Sequence, residues 1–566
     1  MASFPPSTTT TAASTATITP TSSPFFKKTL QIPTLRNHRH SFKISCKSTD
    51  NDNQNPNTTS KNEENFLEKL DRRNVLLGLG GYSAATILAN PPAFAAPVTA
   101  PDLAKCGAAD LPTGAKPTNC CPPQSNSMRV RPAAHLADAE YIAKFSKALA
   151  LMKALPEDDP RSFKQQANVH CAYCNGAYHQ VGFPELDLQV HESWLFFPFH
   201  RYYLHFFERI LGSLIGDPSF AIPVWNWDSA NGMQMPAMYA DPNSPLYDVH
   251  RNCKHQPPTL VDLDYNGSDL PTFIAQQKSC NLNVMCRQMV QNSNGAKLFH
   301  GSPYWAGDEP NPGPGSIENV PHGPIHVWCG DPTQPNGEDL GNFYSAGRDP
   351  IFYGHHANID RMWCIWKTLG GKRHDFTDPD WLNAGFVFYD ENAKLVRVKV
   401  KDCLDTRKLG YVYQDVDIPW LNTRPTPKVS KFSRKINKAG VAMAADTPST
   451  ATEVFPKKLD KADDEEEILV IEGIEVDQDV FVKFDVLIND EHEVIGPDNT
   501  EFAGSFVNVP RKHKHGKKIK TMLRLGIAEL LEELGAEDDD GVLVTLVPKN
   551  GAGAVTIGGV KIEFDS

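Results

Sequence analysis

The sequence predicts a mainly α domain with long loops, followed by a smaller β-rich C-terminal domain. Three observations carry this. Apolar residues recur at helical spacing over Asp138–Ala154, Phe199–Leu214 and Ala357–Thr368. Long Pro/Gly/Asn-rich stretches such as Asp308–Gly315 separate these segments. Beyond residue 457 the chain turns to β-branched runs at Ile468–Ile471, Val480–Leu487 and Val542–Val547. Asp138 is placed to cap the first helix, and Pro198 stands at the start of the second. A helix is expected over Lys518–Leu534, and turn chemistry over Gly551–Gly559.

Residues 1–95 are read as addressing segments rather than fold. Residues 1–49 hold 19 Ser/Thr, six Lys/Arg and no Asp or Glu, the bias of a plastid transit peptide. Arg72-Arg73 then precede the short apolar run Val75–Leu88 and the small-residue site Ala93-Phe94-Ala95. This pattern reads as a twin-arginine export signal. The two signals in series imply a chloroplast protein of the thylakoid lumen, handled by the plastid import and twin-arginine export machinery. Residues 96–422 form the α domain, and 423–457, with Pro425, Pro427, Pro448 and scattered Lys/Arg, form a linker open to a processing protease. Residues 458–566 form the β-rich domain.

The formal charge of −12 over 566 residues argues against nucleic acid as a partner. No apolar run approaches the ~18 residues that would span a bilayer.

Chemistry concentrates in histidines. His170, His191 and His200 form one group, and His322, His326 and His356 a second. His322 and His326 are four apart, so on a helix they face the same way. Three imidazoles can hold a metal and leave a position open for substrate. Imidazole alone suits zinc, copper, iron and nickel. Two all-histidine triads with no carboxylate in the pattern favour a copper pair cycling between Cu(I) and Cu(II).

At these residues the sequence resembles the plant polyphenol oxidases, a type-3 copper family that includes catechol oxidases and tyrosinases. The resemblance covers His170-Cys171-Ala172-Tyr173-Cys174, His191-Glu192-Ser193-Trp194 and Phe197-Pro198-Phe199-His200-Arg201 at one site. At the other it covers His322-Gly323-Pro324-Ile325-His326 and Asp349–Arg361, with further matches at Asp380-Trp381-Leu382, Tyr411-Val412-Tyr413 and Lys483-Phe484-Asp485-Val486. It implies a four-helix bundle around a dicopper centre, with the six histidines as ligands to two copper ions and the β-rich domain covering the site. His355 is then a packing neighbour, and Asp360 orients a ligand histidine or pairs with Arg361.

The resemblance also implies a thioether between Cys174 and His191, and disulfides Cys106–Cys121 and Cys120–Cys171. Phe343 matches an aromatic gate over the second copper. Glu318 matches an acid that holds a water near the metals. Gly323 stands where an Asn favours monophenol hydroxylation. The implied activity is oxidation of o-diphenols to o-quinones with O2 reduced to water, in a latent precursor. A specialised phenylpropanoid or flavonoid hydroxylase with monophenolase activity is the alternative. A haemocyanin-like oxygen carrier is a third reading.

Overall fold

The computed structural model describes residues 116–119, 128–269, 272–427, 451–457, 466–490, 496–511 and 518–565. The addressing segments, Cys106, Cys120, Cys121 and most of the expected linker lie outside these residues.

The large domain is built on helices α1 (Ala139–Ala154), α2 (Phe163–Cys174), α3 (Phe196–Leu214), α4 (Ile274–Met289), α5 (Ala296–His300), α6 (Gly323–Cys329), α7 (Ile351–Trp366) and α8 (Pro379–Asn383). Asp138 caps α1 by accepting the Tyr141 N–H at 2.8 Å. Ser162 caps α2 through the Gln165 N–H. Helices α3 and α7 start earlier than their apolar period predicts. Pro198 lies inside the first turn of α3, where a missing N–H costs nothing. In α2, α3 and α7 nearly every residue is buried, because loops cover the faces that periodicity would assign to solvent.

Short strands edge this domain. β1 (Thr118–Asn119) lies beside β6 of the β5–β6 hairpin (Gly385–Tyr389, Leu395–Lys399). β2 (Arg129–Arg131) pairs with β7 (Tyr411–Tyr413), and β3 (His179–Gln180) with β4 (Phe183–Asp187).

The C-terminal domain stacks two sheets. One runs β11 (Phe502–Asn508), β10 (Val482–Ile488), β13 (Gly541–Asn550), β8 (Ala451–Pro456). The other centres on β9 (Glu466–Asp477), flanked by β12 (Lys518–Gly526) and by β14 (Val555–Thr556) with β15 (Gly559–Asp565). Alternate residues Val482, Phe484, Val486 and Ile488 of β10 enter the core between the sheets, facing Leu469, Ile471 and Leu525. Two expectations are corrected. Residues 518–526 are strand, and only α9 (Ala528–Leu534) is helical. Ile519, Thr521, Leu523 and Leu525 alternate inward with period two, which overrides helix propensity. β8 lies inside the stretch assigned to the linker, so the β-rich domain begins before residue 458.

A buried ionic hub ties the bundle to its edge strands. Asp360 on α7 accepts from Arg201 Nε at 2.5 Å, Arg131 Nη1 at 3.3 Å, Tyr411 OH at 2.5 Å and Tyr413 OH. It neither orients a metal-site histidine nor pairs with Arg361, whose partner is Asp228 at 3.0 Å. Burial alone would raise the Asp360 pKa, but Arg201 and Arg131 hold it below the ordinary carboxylate value. Asp360→Ala strands the buried Arg201 guanidinium and leaves Arg131 with Glu208 alone. It should cost about 3–5 kcal/mol, read as a lowered thermal midpoint, or leave the protein insoluble.

Candidate metal centre

The six histidines arrive from four helices and one loop. His170 sits on α2, His200 on α3, His326 on α6 and His356 on α7. His322 ends a wide turn, Glu318–His322, that runs into α6. Its ring lies 4.5 Å from that of His326, as their four-residue spacing predicts. His191 comes from the loop before α3. Gln189 fixes that loop by accepting the His191 N–H at 2.9 Å and donating to the Cys174 carbonyl at 2.9 Å.

All six rings are at most 1% exposed. Four of them place Nδ1 against a backbone carbonyl: His170 on Phe343 at 3.0 Å, His200 on Phe196 at 2.8 Å, His322 on Glu318 at 2.9 Å and His326 on Leu340 at 2.8 Å. A carbonyl only accepts, so Nδ1 carries the proton and Nε2 the lone pair. Nε2 of His170, His191, His200 and His322 is buried with no hydrogen-bond partner. His326 Nε2 and His356 Nε2 face each other at 3.3 Å.

Burial pushes the imidazole pKa values down, to about 3 for His200 and about 4 for His326. For His170, His191, His322 and His356, burial and then neighbouring imidazoles act in the same direction. The rings are therefore neutral at physiological pH, the form that ligates metal.

Two donor groups result. His170, His191, His200 and Cys174 have ligand atoms within 4.8 Å of one another, as do His322, His326, His355 and His356. The groups meet where His200 stacks on His356, ring centroids 4.2 Å apart. Orphaned inward lone pairs and a nitrogen donor set fit two soft-to-borderline metal ions. His355 lies within reach of the second group, stacked on His322 at 5.5 Å, with both ring nitrogens unpartnered. Cys171 is buried, and its expected partner Cys120 lies outside the described residues.

Phe343 roofs the centre, but its ring stacks on His191 at 4.0 Å, so it covers the first group more closely than the second. Glu318 is 4% exposed, and its carboxylate accepts N–H bonds from Glu192 and Gly315. Burial, and then the neighbouring Glu192, raise its pKa well above the usual range.

The C-terminal domain closes the site with β11 and the residues that follow. Val507 and Val509 join the apolar core of the large domain. The Asn319 side chain pairs with the strand backbone, accepting the Val507 N–H at 3.0 Å and donating to the Ser505 carbonyl at 2.5 Å. A Cβ on Gly323 would meet Val507 Cγ1 at 2.9 Å. Arg511 pairs with Glu192, and its guanidinium lies 5.3 Å from the Phe343 ring centre. Lys483 of β10 bridges Asp264 at 3.0 Å and Asp485 at 2.5 Å. Val507, Arg511, Asn319 and Glu192 carry no signal in the sequence, because their roles arise from one domain meeting the other.

Paired imidazole clusters inside a helical bundle define the tyrosinase-like class. The common central domain of tyrosinase matches residues 160–369, the polyphenol oxidase middle domain 375–426, and the chloroplastic polyphenol oxidase C-terminal domain 434–564. Chloroplastic polyphenol oxidase of Malus domestica is 60% identical, with 96% of each chain covered. Aureusidin synthase of Antirrhinum majus is 53% identical, covering 94% of this chain and 99% of that one. The structure of latent apple tyrosinase superposes with TM-score 0.76 at 62% identity, over 80% of this chain and all of that one. The chain belongs to the plant polyphenol oxidases, a family of oxidoreductases, and has their latent form.

Proposed function

We propose that the chain is a catechol oxidase, converting o-diphenols to o-quinones while O2 is reduced to water. Its cofactor is a pair of copper ions, one held by His170, His191 and His200 and the other by His322, His326 and His356. The observation that supports this best is the convergence of six buried, neutral imidazoles, four of which have an Nε2 lone pair with no protein partner and two of which turn Nε2 toward each other. When bound, the copper pair supplies reversible one-electron chemistry, so that two diphenols furnish the four electrons O2 requires.

The chain's own groups do the rest. Backbone carbonyls hold the rings in one tautomer. The Phe343 ring, one face of which is stacked on His191, stands as a gate that narrows the way a phenol enters. Glu318, with its raised pKa, takes the proton of a phenol O–H. A thioether from Cys174 would fix the His191 ring, which has no hydrogen bond at either nitrogen.

Localisation in the chloroplast, and within it the thylakoid lumen, follows from residues 1–95 and from the chloroplastic relatives. Disulfides Cys106–Cys121 and Cys120–Cys171 suit that compartment. A specialised flavonoid or phenylpropanoid hydroxylase is the second reading, favoured by the likeness to aureusidin synthase.

His326→Ala should lower bound copper from about two ions to clearly fewer, one triad being broken, and abolish catechol turnover. Metal analysis finding zinc, or unchanged copper with unchanged turnover, contradicts the assignment.

Cleavage within 423–457 should raise catechol oxidation several-fold without changing bound copper. Equal rates of full-length and cleaved protein at saturating catechol would exclude a shielding role.

Gly323→Asn should press Val507 off its seat, since even a Cβ crowds it. The full-length variant should then show a raised basal rate, assayed without protease or detergent. Tyrosine-type hydroxylation should stay below diphenol oxidation in the parent, whose Gly323 has no side chain to help hold a water.

A further inference from the structure

The mouth of the site carries a charge arrangement that the metal centre does not need. Glu192 follows His191 directly, with a left-handed backbone (φ +56°). It is held there by two bonds inside the large domain: its N–H to the Glu318 carboxylate, and its carbonyl from the Gly313 N–H at 2.9 Å. Its side chain turns outward to Arg511. Arg511 in turn donates to Asn311 Oδ1 at 2.7 Å and lies over the Phe343 ring. Both charges are largely buried, at 9% and 3% exposure.

The cation belongs to the covering domain, and the anion and the aromatic face belong to the catalytic one. Arg511 is the cation of the covering domain that pairs with the Glu192 carboxylate. Displacing the C-terminal domain removes that cation but leaves both backbone anchors of Glu192 in place. A carboxylate and a ring face then stand together at the rim, arranged around a vacated cation position. A recessed carboxylate without a counter-charge is costly, and a ring face attracts cations by its quadrupole.

We propose that Glu192 and the Phe343 face form a subsite for the cationic tail of a phenolic substrate, and that Arg511 occupies this subsite in the covered form. The inference rests on the phenol-oxidase reading above and adds a substrate class to it: catechols bearing a protonated alkylamine are preferred over neutral catechols, and neutral over carboxylate-bearing ones. Glu192 is here a specificity-determining residue. It binds the tail and takes no part in the oxidation.

The test uses the copper-loaded full chain nicked in its linker, near neutral pH. KM and kcat are measured for 2-(3,4-dihydroxyphenyl)ethylamine, 4-methylcatechol and 3-(3,4-dihydroxyphenyl)propionate. The parent should show the lowest KM for the amine, and added salt should narrow the gap between the three. Glu192→Gln should shrink the KM ratio of 4-methylcatechol to the amine by roughly two- to fivefold, the range of an exposed ion pair. Glu192→Asp, which keeps the charge, should retain part of the preference.

A merely structural role for Glu192 would instead move kcat and all three KM values together. Calorimetry with 2-phenylethylammonium on the copper-free nicked protein gives a readout independent of turnover, and Glu192→Gln should weaken that binding by a similar factor. Equal KM values for the three tails in the parent, or a ratio unchanged in Glu192→Gln, overturns the subsite while leaving the oxidase reading intact. Absence of oxidation of any catechol overturns the oxidase reading itself.

Discussion

Six imidazoles must be kept neutral, dry and turned inward, and much of the large domain follows from that requirement. Burial disfavours a protonated ring in this cage and pushes the pKa values of His200 and His326 down to about 3 and about 4. Orientation is the harder condition. Nδ1–H needs an acceptor in a place that leaves Nε2 pointing at the centre, and backbone carbonyls supply it without adding charge. Two of those carbonyls, Leu340 and Phe343, come from one irregular loop. That loop is itself pinned by Ser345, whose hydroxyl donates to the Asp339 carbonyl at 2.7 Å. The long Pro/Gly-rich loops are therefore part of the ligand geometry and more than connections between helices.

Charge is kept out of the cage by being consumed elsewhere. Arg129, Arg131 and Arg201 share the carboxylates of Glu208 and Asp360 in one buried network, and Arg201 also lies 3.6 Å over the Trp363 ring. Such a network is expensive to bury, but once complete it locks α3 and α7 to the edge strands β2 and β7. Helices α3 and α7 carry His200 and His356, the rings at which the two donor groups touch. On α7 the hub's Asp360 lies one turn beyond His356 on the same face, so the ionic hub and the metal centre sit one after the other along the same helix pair.

This division explains what the sequence made legible. The grouping of the histidines was readable because residues four apart on a helix share a face, and His322 and His326 meet as that step predicts. The centres of helices and strands were readable because apolar period reports the buried face. Helix starts were not, since α3 and α7 are buried on all sides and show no polar edge to mark their ends. Residues 518–526 misled because Lys, Met, Leu and Arg favour helix locally, while pairing with β9 decides their state. Asp360 misled because its partners Arg131, Tyr411 and Tyr413 lie far away in sequence. The contacts of Arg511, Val507 and Asn319 were invisible for the same reason, being properties of an interface.

The character of that interface decides how the cover behaves. Its rim is polar and ionic: Lys483 with Asp264, Asp498 with Ser279 and Asn283, Arg511 with Glu192. Val507 and Val509 make an apolar plug above the centre, and Ile468, Val470 and Met522 form a second apolar contact against Leu298. Ion pairs gain little over solvation and yield to screening or protonation, whereas an apolar seam of the same extent would not. The plug fits because Gly323 has no side chain, and Gly323 adjoins His322. The same missing Cβ that lets Val507 seat over the site leaves bare the position next to a metal-site histidine once the cover is gone. How closely the site is closed is thus set partly by one residue.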